Sequence, residues 1–247
     1  MKKQAILLVG ATSSLARALA VLLAQQGARL HLVGRDMDEV ERIARDLQVR
    51  YHASVSGDCF EAEDYATHAE VLRKAQVSMG RLDGVIVAIG FLGDQEHAQR
   101  DGEQVQRIIQ ANYMGAVSIL TYAANHLEAQ RSGFIVGISS VAGDRGRQSN
   151  YVYGSAKGAF SLFLQGLRNR LSKAGVHVMT VKPGFLDTKM TFGQSGLFLV
   201  ASPEKVARAI LRALHKRKNT LYTPWFWRGV MLIIRAIPEQ LFRRMSL

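Results

Sequence analysis

The sequence predicts an α/β protein, a single-domain doubly wound parallel sheet of about seven strands flanked by helices. Short runs of Val, Ile, Leu and Ala recur without the polar–apolar alternation of a strand with one wet face, so these strands are covered on both sides. Segments with helical spacing separate the runs, and a turn of small residues follows the first of them. At 247 residues and 48% hydrophobic, the chain can bury a large core. No long Pro, Ser or Gly linker and no internal repeat interrupts it, and Pro occurs only at positions 183, 203, 224 and 238, so residues 1–247 read as one domain.

The first strand is expected over Ala5–Val9, followed by a turn and then by Leu15, Leu19, Leu22 and Leu23 at the spacing of a buried helix face. Gly27 precedes a second apolar run at 30–33. Further strands are expected at 50–53, 85–89, 134–138 and 176–181. Parallel strands joined through helices require right-handed crossovers. Residues 192–200 read as a lid, with Gly193 and Gly196 as hinges. Residues 224–247 form a hydrophobic, basic helical extension.

Lys and Arg number 32 against 20 Asp and Glu, a formal charge of +12 that admits anionic partners of several kinds. No nucleic-acid motif accompanies the charge, so no nucleic-acid partner is expected. A lone cysteine, Cys59, excludes an intramolecular disulfide and a cysteine metal site, and no metal is expected. The opening Met1-Lys2-Lys3-Gln4 leads into an apolar run too short for a secretory signal. Arg228 and Arg235 break the most hydrophobic stretch below the ~18 residues of a membrane span. The expected location is cytoplasmic, at the inner face of the membrane if the extension lies on a bilayer.

In an open parallel sheet, ligands bind beyond the carboxyl ends of the strands, where the first turn presents backbone N–H groups to phosphate. Gly10-Ala11-Thr12-Ser13-Ser14-Leu15-Ala16 occupies that turn. Of the three glycines such a turn often carries, only Gly10 is kept, and the small Ser14 and Ala16 replace the others. Thr12, Ser13, Ser14 and Leu15 are the remaining candidate cofactor residues; an ordinary capped helix would also account for them. After the second run comes Gly34-Arg35. A carboxylate there would bind a ribose 2′-hydroxyl, whereas Arg35 suits a 2′-phosphate, which favours NADP(H) over NAD(H). Arg35 also suits a solvated helix start.

Three segments carry chemistry: Ser139-Ser140-Val141-Ala142-Gly143, Tyr153-Gly154-Ser155-Ala156-Lys157 and Pro183-Gly184-Phe185-Leu186-Asp187-Thr188. Tyr153 and Lys157 stand at i and i+4, on one helix face, so an ammonium can act on a phenol whose unperturbed pKa is about 10. Tyr151, six residues before Lys157, falls on another face. With Ser140 thirteen residues before Tyr153 and Pro183-Gly184 after the next strand, the chain resembles the short-chain dehydrogenase/reductase family, whose members have a Rossmann fold.

That resemblance implies a ketone–alcohol oxidoreductase in which Ser140 binds the substrate carbonyl, Tyr153 donates its proton, Lys157 also holds the nicotinamide ribose, and Asn112 supports a proton relay. It assigns Pro183, Gly184 and Thr188 to the nicotinamide, Gly90 to the cofactor loop after the fourth strand, and Asp58 to the adenine. The family's Asn-Asn-Ala-Gly reads Val87-Ala88-Ile89-Gly90 here, keeping only the glycine. It also implies a homo-oligomer, a dimer or tetramer.

Outside this core, 88–94, 143–147 and 224–244 resemble decaprenylphosphoryl-2-keto-D-erythro-pentose reductases, implying a lipid-linked ketone substrate in cell-envelope sugar-lipid synthesis. Arg145 and Arg147 would meet a lipid phosphate, or lie on the surface as solvated arginines. The tail could dock on a bilayer, line the substrate pocket or pack between subunits. Alternatives to the lipid-linked substrate are a soluble ketoacyl or ketosugar compound, or a nucleotide-sensing protein without turnover.

Overall fold

Along β1 (Ala5–Val9) every residue is buried, and successive side chains enter two different cores: Ile6 and Leu8 one, Ala5, Leu7 and Val9 the other. A strand wet on one face could not do this. In the computed structural model, which describes residues 4–187 and 200–245, β1 lies inside a seven-stranded parallel sheet ordered β3-β2-β1-β4-β5-β6-β7. The other strands are β2 (Arg29–Gly34), β3 (Val55–Cys59), β4 (Gly84–Val87), β5 (Phe134–Ile138), β6 (His177–Pro183) and β7 (Thr220–Thr223).

Helices α1 (Ser14–Gln25) and α2 (Met37–Tyr51) cover the face of Ile6 and Leu8, joined there by α8 (Pro203–His215). The opposite face is covered by α3 (His68–Met79), α6 (Gly115–Gln130) and α7 (Tyr151–Ser172). Two short helices, α4 (Gln95–Ala98) and α5 (Gly102–Ile109), precede α6, and α9 (Trp227–Ala236) and α10 (Glu239–Phe242) follow β7. The Ser13 hydroxyl accepts from the Ala16 N–H at 3.2 Å and caps α1, a contribution of about 1 kcal/mol. The strand order reverses between β1 and β4, which opens a crevice above their carboxyl ends, the place where doubly wound sheets bind ligands.

The strand expected at 50–53 is not formed. The stripe Val40, Ala44 and Leu47 carries α2 through Tyr51, and His52 ends it in the left-handed region at φ +49°. The third strand is instead Val55–Cys59, a half-exposed edge whose Ser-Gly-Asp centre has little apolar signal. β4 closes at Val87, leaving Ile89 in the loop, and the short β7 at the other edge was not among the expected runs. No helix among the described residues is long and apolar enough to cross a membrane.

Candidate active site

Gly10 ends β1 with φ +81°, and its N–H bonds the Val33 carbonyl at 2.9 Å. A β-carbon there would stand 2.8 Å from the Ala88 carbonyl oxygen, so only glycine fits at the mouth of the crevice. Beyond the turn, the N–H groups of Ser14 and Leu15 open α1 with no acceptor in their own helix. The Thr12 side chain packs toward Gly34 at the end of β2. Arg35, exposed, follows directly, and the Asp36 carboxylate caps α2 through the Glu39 N–H at 3.0 Å. Glu39 pairs with both Arg17 and Arg42, so that carboxylate is already neutralised. The residues present thus fit a dinucleotide phosphate: a tight glycine, an open helix N-terminus and an exposed arginine.

Asp58 makes an ion pair with Lys74 at 2.7 Å and accepts the Cys59 N–H at 2.8 Å. Burial raises its pKa, but the bonds from Lys74 and Cys59 outweigh that and hold it below the ordinary carboxylate value.

The loop after β5 approaches α7 through glycines. A β-carbon at Gly143 would stand 2.5 Å from the Gly158 nitrogen, and one at Gly154 would stand 2.8 Å from the Ala142 carbonyl oxygen. Without them the helix could not lie against Ser140. Buried Ser139 secures the same junction, its hydroxyl bonding the Lys157 carbonyl at 2.8 Å and Ser161 Oγ at 2.7 Å. The outcome sets the Tyr153 phenol beside the Ser140 hydroxyl, which also accepts the Ala142 N–H at 3.1 Å. Burial pushes the phenol up to about 12, with Ser140 opposing. Tyr151 points outward.

Lys157, one turn on, is buried, and its ammonium bridges the loop after β4 and the end of β5: Nζ lies 2.9 Å from the Ile89 carbonyl and 3.3 Å from that of Ile138. It stands 5.8 Å from the centre of the Tyr153 ring. Burial draws its pKa down to about 7. Asn112, fully buried, lies in a π turn over Gln110–Met114. Its amide nitrogen donates to Phe91 O at 2.5 Å and Ile108 O at 2.8 Å, while its oxygen accepts the Phe91 N–H at 3.2 Å. The side chain therefore clips the loop after β4, which contains Gly90, to the helix.

The extension reaches the same end of the sheet. Trp227, buried, packs its indole on Gly184, so closely that a β-carbon at 184 would overlap the ring. It joins Val141, Met231, Phe185 and Phe226 in a separate apolar cluster. Beneath it, Lys182 and Asp144 form a buried ion pair, and the Tyr222 hydroxyl donates to Asp144 at 2.7 Å. Arg145 does not face a ligand phosphate. Its guanidinium bonds the carbonyls of Ile234 and Ile237, both at 2.6 Å, pairs with Glu239 at 3.0 Å and covers the Phe242 ring at 3.7 Å. It fastens α9 to α10, as a cation at a helix C-terminus can. Arg147 is half-buried, and burial lowers its pKa.

Ser140, Tyr153, Lys157, Gly10, Pro183 and Gly184 thus share the carboxyl end of the sheet, with Asn112 behind Phe91. Thr188 and positions 192–199 of the expected lid lie outside the described residues. The sequence reading missed the Ile89 and Ile138 carbonyls, which have no side-chain signature. It also missed Trp227, whose aromatic neighbourhood was visible but whose landing place was not.

A family model described as short chain dehydrogenase matches residues 4–195. An uncharacterized oxidoreductase of Mycobacterium tuberculosis is 34% identical over 240 residues, 97% of this chain and 96% of that protein. One of Streptomyces coelicolor is 35% identical over 244 residues, 98% and 96% of the two chains. Among solved structures, a short-chain dehydrogenase from Sphingobium yanoikuyae in complex with NADPH superposes with a TM-score of 0.82 at 22% identity, covering 97% of this chain and 96% of that one. ElxO with NADP bound gives 0.81 at 22%, with 93% and 100% covered.

Proposed function

This chain belongs to the short-chain dehydrogenase family, and from that premise we propose that it is an NADP(H)-dependent reductase that converts a ketone to a secondary alcohol. The observation that carries the reading is Tyr153 beside Ser140, with the Lys157 ammonium 5.8 Å from the centre of its ring, at the carboxyl ends of the central strands. The NADP- and NADPH-bound structural relatives and the exposed Arg35 support the phosphorylated cofactor over NAD(H).

When bound, the nicotinamide supplies the two-electron reducing equivalent. Gly10, Thr12, Ser13, Ser14, Leu15 and Arg35 would hold the phosphate side, with Asp58 at the adenine. Gly90, Pro183, Gly184 and Thr188 would hold the nicotinamide side together with Lys157. Ser140 donates a hydrogen bond to the ketone oxygen, and Tyr153 delivers the proton that completes the alcohol. A phenol held at about 12 is protonated throughout the neutral range, which suits donation and hence reduction. Lys157 lies where its charge stabilises the phenolate left behind, and Asn112, its side chain engaged with Phe91, would support the proton relay.

The substrate in this reading is a lipid-linked ketone, a polyprenyl-phosphate 2-ketopentose of cell-envelope synthesis, handled in the cytoplasm at the inner face of the membrane. Support comes from the segment resemblances and from the apolar, basic extension that packs beside Gly184. A homo-oligomer, a dimer or tetramer, would cover Met114, Tyr122 and Leu162, large apolar side chains exposed around α6 and α7. Light scattering reads its size.

Fluorescence titration with NADPH and NADH, followed by addition of the lipid-linked ketopentose or soluble ketones, tests the reading. NADPH binding with oxidation on the lipid substrate supports it. Oxidation only by soluble ketones moves the substrate, and binding without turnover of any ketone leaves a nucleotide sensor.

A further inference from the structure

Helix α9 is apolar on both sides, but only one side is covered. Trp227 and Met231 face the protein and are buried. On the outer side lie Gly229, Leu232, Ile233 and Ala236, one stripe at helical spacing, with Leu232 70% and Ile233 69% exposed. Trp225, one turn earlier, is 83% exposed, and Leu241 of α10 is 59% exposed. Arg145 binds α9 and α10 together, so both helices present their outer residues from one support. An exposed apolar stripe of this kind, opposite the packed face, is the mark of an interaction surface.

The charges around the stripe say what that environment is. Arg228 and Arg235, seven residues apart, line one edge of α9, and Arg243 and Arg244 follow α10; all four are exposed. The sole acidic side chain between 224 and 247 is Glu239, and Arg145 already neutralises it. A two-fold contact between copies of this face would set these arginines against themselves, which disfavours a second copy as the cover. Apolar side chains bordered by arginines that have no ion pair among the described residues fit the boundary between acyl chains and acidic headgroups.

We propose that the outer face of α9 and α10 docks this protein on an anionic lipid bilayer, with Leu232, Ile233, Trp225 and Leu241 entering the headgroup–acyl boundary and Arg228, Arg235, Arg243 and Arg244 on acidic headgroups. The inner face of the same helix rests on Gly184, so docking brings the carboxyl end of the sheet to the membrane. The use of that approach to reach a lipid-borne ketone rests on the lipid-substrate reading; the docking itself does not.

Flotation of the full chain with vesicles of phosphatidylcholine alone, or mixed with phosphatidylglycerol, tests the proposal. The expected result is binding to the mixed vesicles that weakens at high salt, and a loss of about tenfold or more in the variant Leu232→Ser/Ile233→Ser. NADPH titration runs alongside, and the variant should bind the cofactor as the parent does. Absence of binding to mixed vesicles overturns the docking, as does equal binding by parent and variant. A parent that ignores vesicles while the variant falls from dimer to monomer in light scattering also overturns it and assigns the face to a second copy. Failure of the parent to bind NADPH would strike the reductase reading and leave the vesicle result standing.

Discussion

The indole of Trp227 occupies the space that a side chain at Gly184 would need. Two segments more than forty residues apart in sequence therefore form one wall at the end of β6, and neither can be changed alone. Trp227→Ala should cost about 3–5 kcal/mol by emptying a buried site. Gly184→Ala should cost about 1–3 kcal/mol by overpacking. Because the new methyl can use the vacated space, the double variant should be more stable than the sum of the two losses predicts, by about 0.5–3 kcal/mol. Urea unfolding of the four proteins measures the difference, and strict additivity would show that the two residues do not share the space.

Tyr153→Phe removes the proton donor while leaving the ring. Ketone reduction should fall by about a thousandfold or more, with NADPH affinity changed by less than about threefold. Retained turnover would transfer the acid role to another group.

Arg35→Ala removes the exposed guanidinium at the end of β2. Affinity for NADPH should drop by about tenfold or more and that for NADH by little, since a charge-assisted bond to phosphate contributes about 1.5–3 kcal/mol. Equal losses for the two cofactors would exclude a contact with the 2′-phosphate.

Lys157 makes two predictions that run in opposite directions with pH. Its pKa falls from 10.5 in the unfolded chain to about 7 in the folded one. The folded state therefore holds fewer protons than the unfolded state between those values, and this group's contribution to stability rises with pH across that window. Lys157→Met should accordingly show its greatest gain relative to the parent below pH 7, narrowing toward pH 10.5, as read by denaturant unfolding. The kcat/KM for reduction should decline above about pH 7, where the free enzyme loses the ammonium. A profile flat through neutrality would mean that catalysis does not need that charge.

Asp144→Asn breaks the buried pair with Lys182 and strands an ammonium beneath the extension. The expected loss is about 3–5 kcal/mol, partly recovered when Lys182→Met is added. Thermal melts of the single and double variants decide it.

The doubly wound sheet, its central strands, the turn at Gly10 and the shared face of Tyr153 and Lys157 were legible in the sequence because each depends on neighbours within a few residues. Apolar runs mark strands buried on both faces, and a spacing of four marks one side of a helix. The strand at Val55–Cys59 was not legible, since an edge strand with polar residues at its centre has little apolar signal. Nor was the real work of Arg145, which sits between two catalytic segments in sequence but bonds carbonyls about ninety residues away. The same holds for Lys157 between the Ile89 and Ile138 carbonyls, for Asp144 with Lys182 and Tyr222, and for Trp227 on Gly184. Backbone carbonyls carry no residue identity, and which distant side chain meets them depends on how the layers close. Composition and spacing are local quantities, whereas packing and the burial that shifts Tyr153 and Lys157 come into being only when the chain is folded.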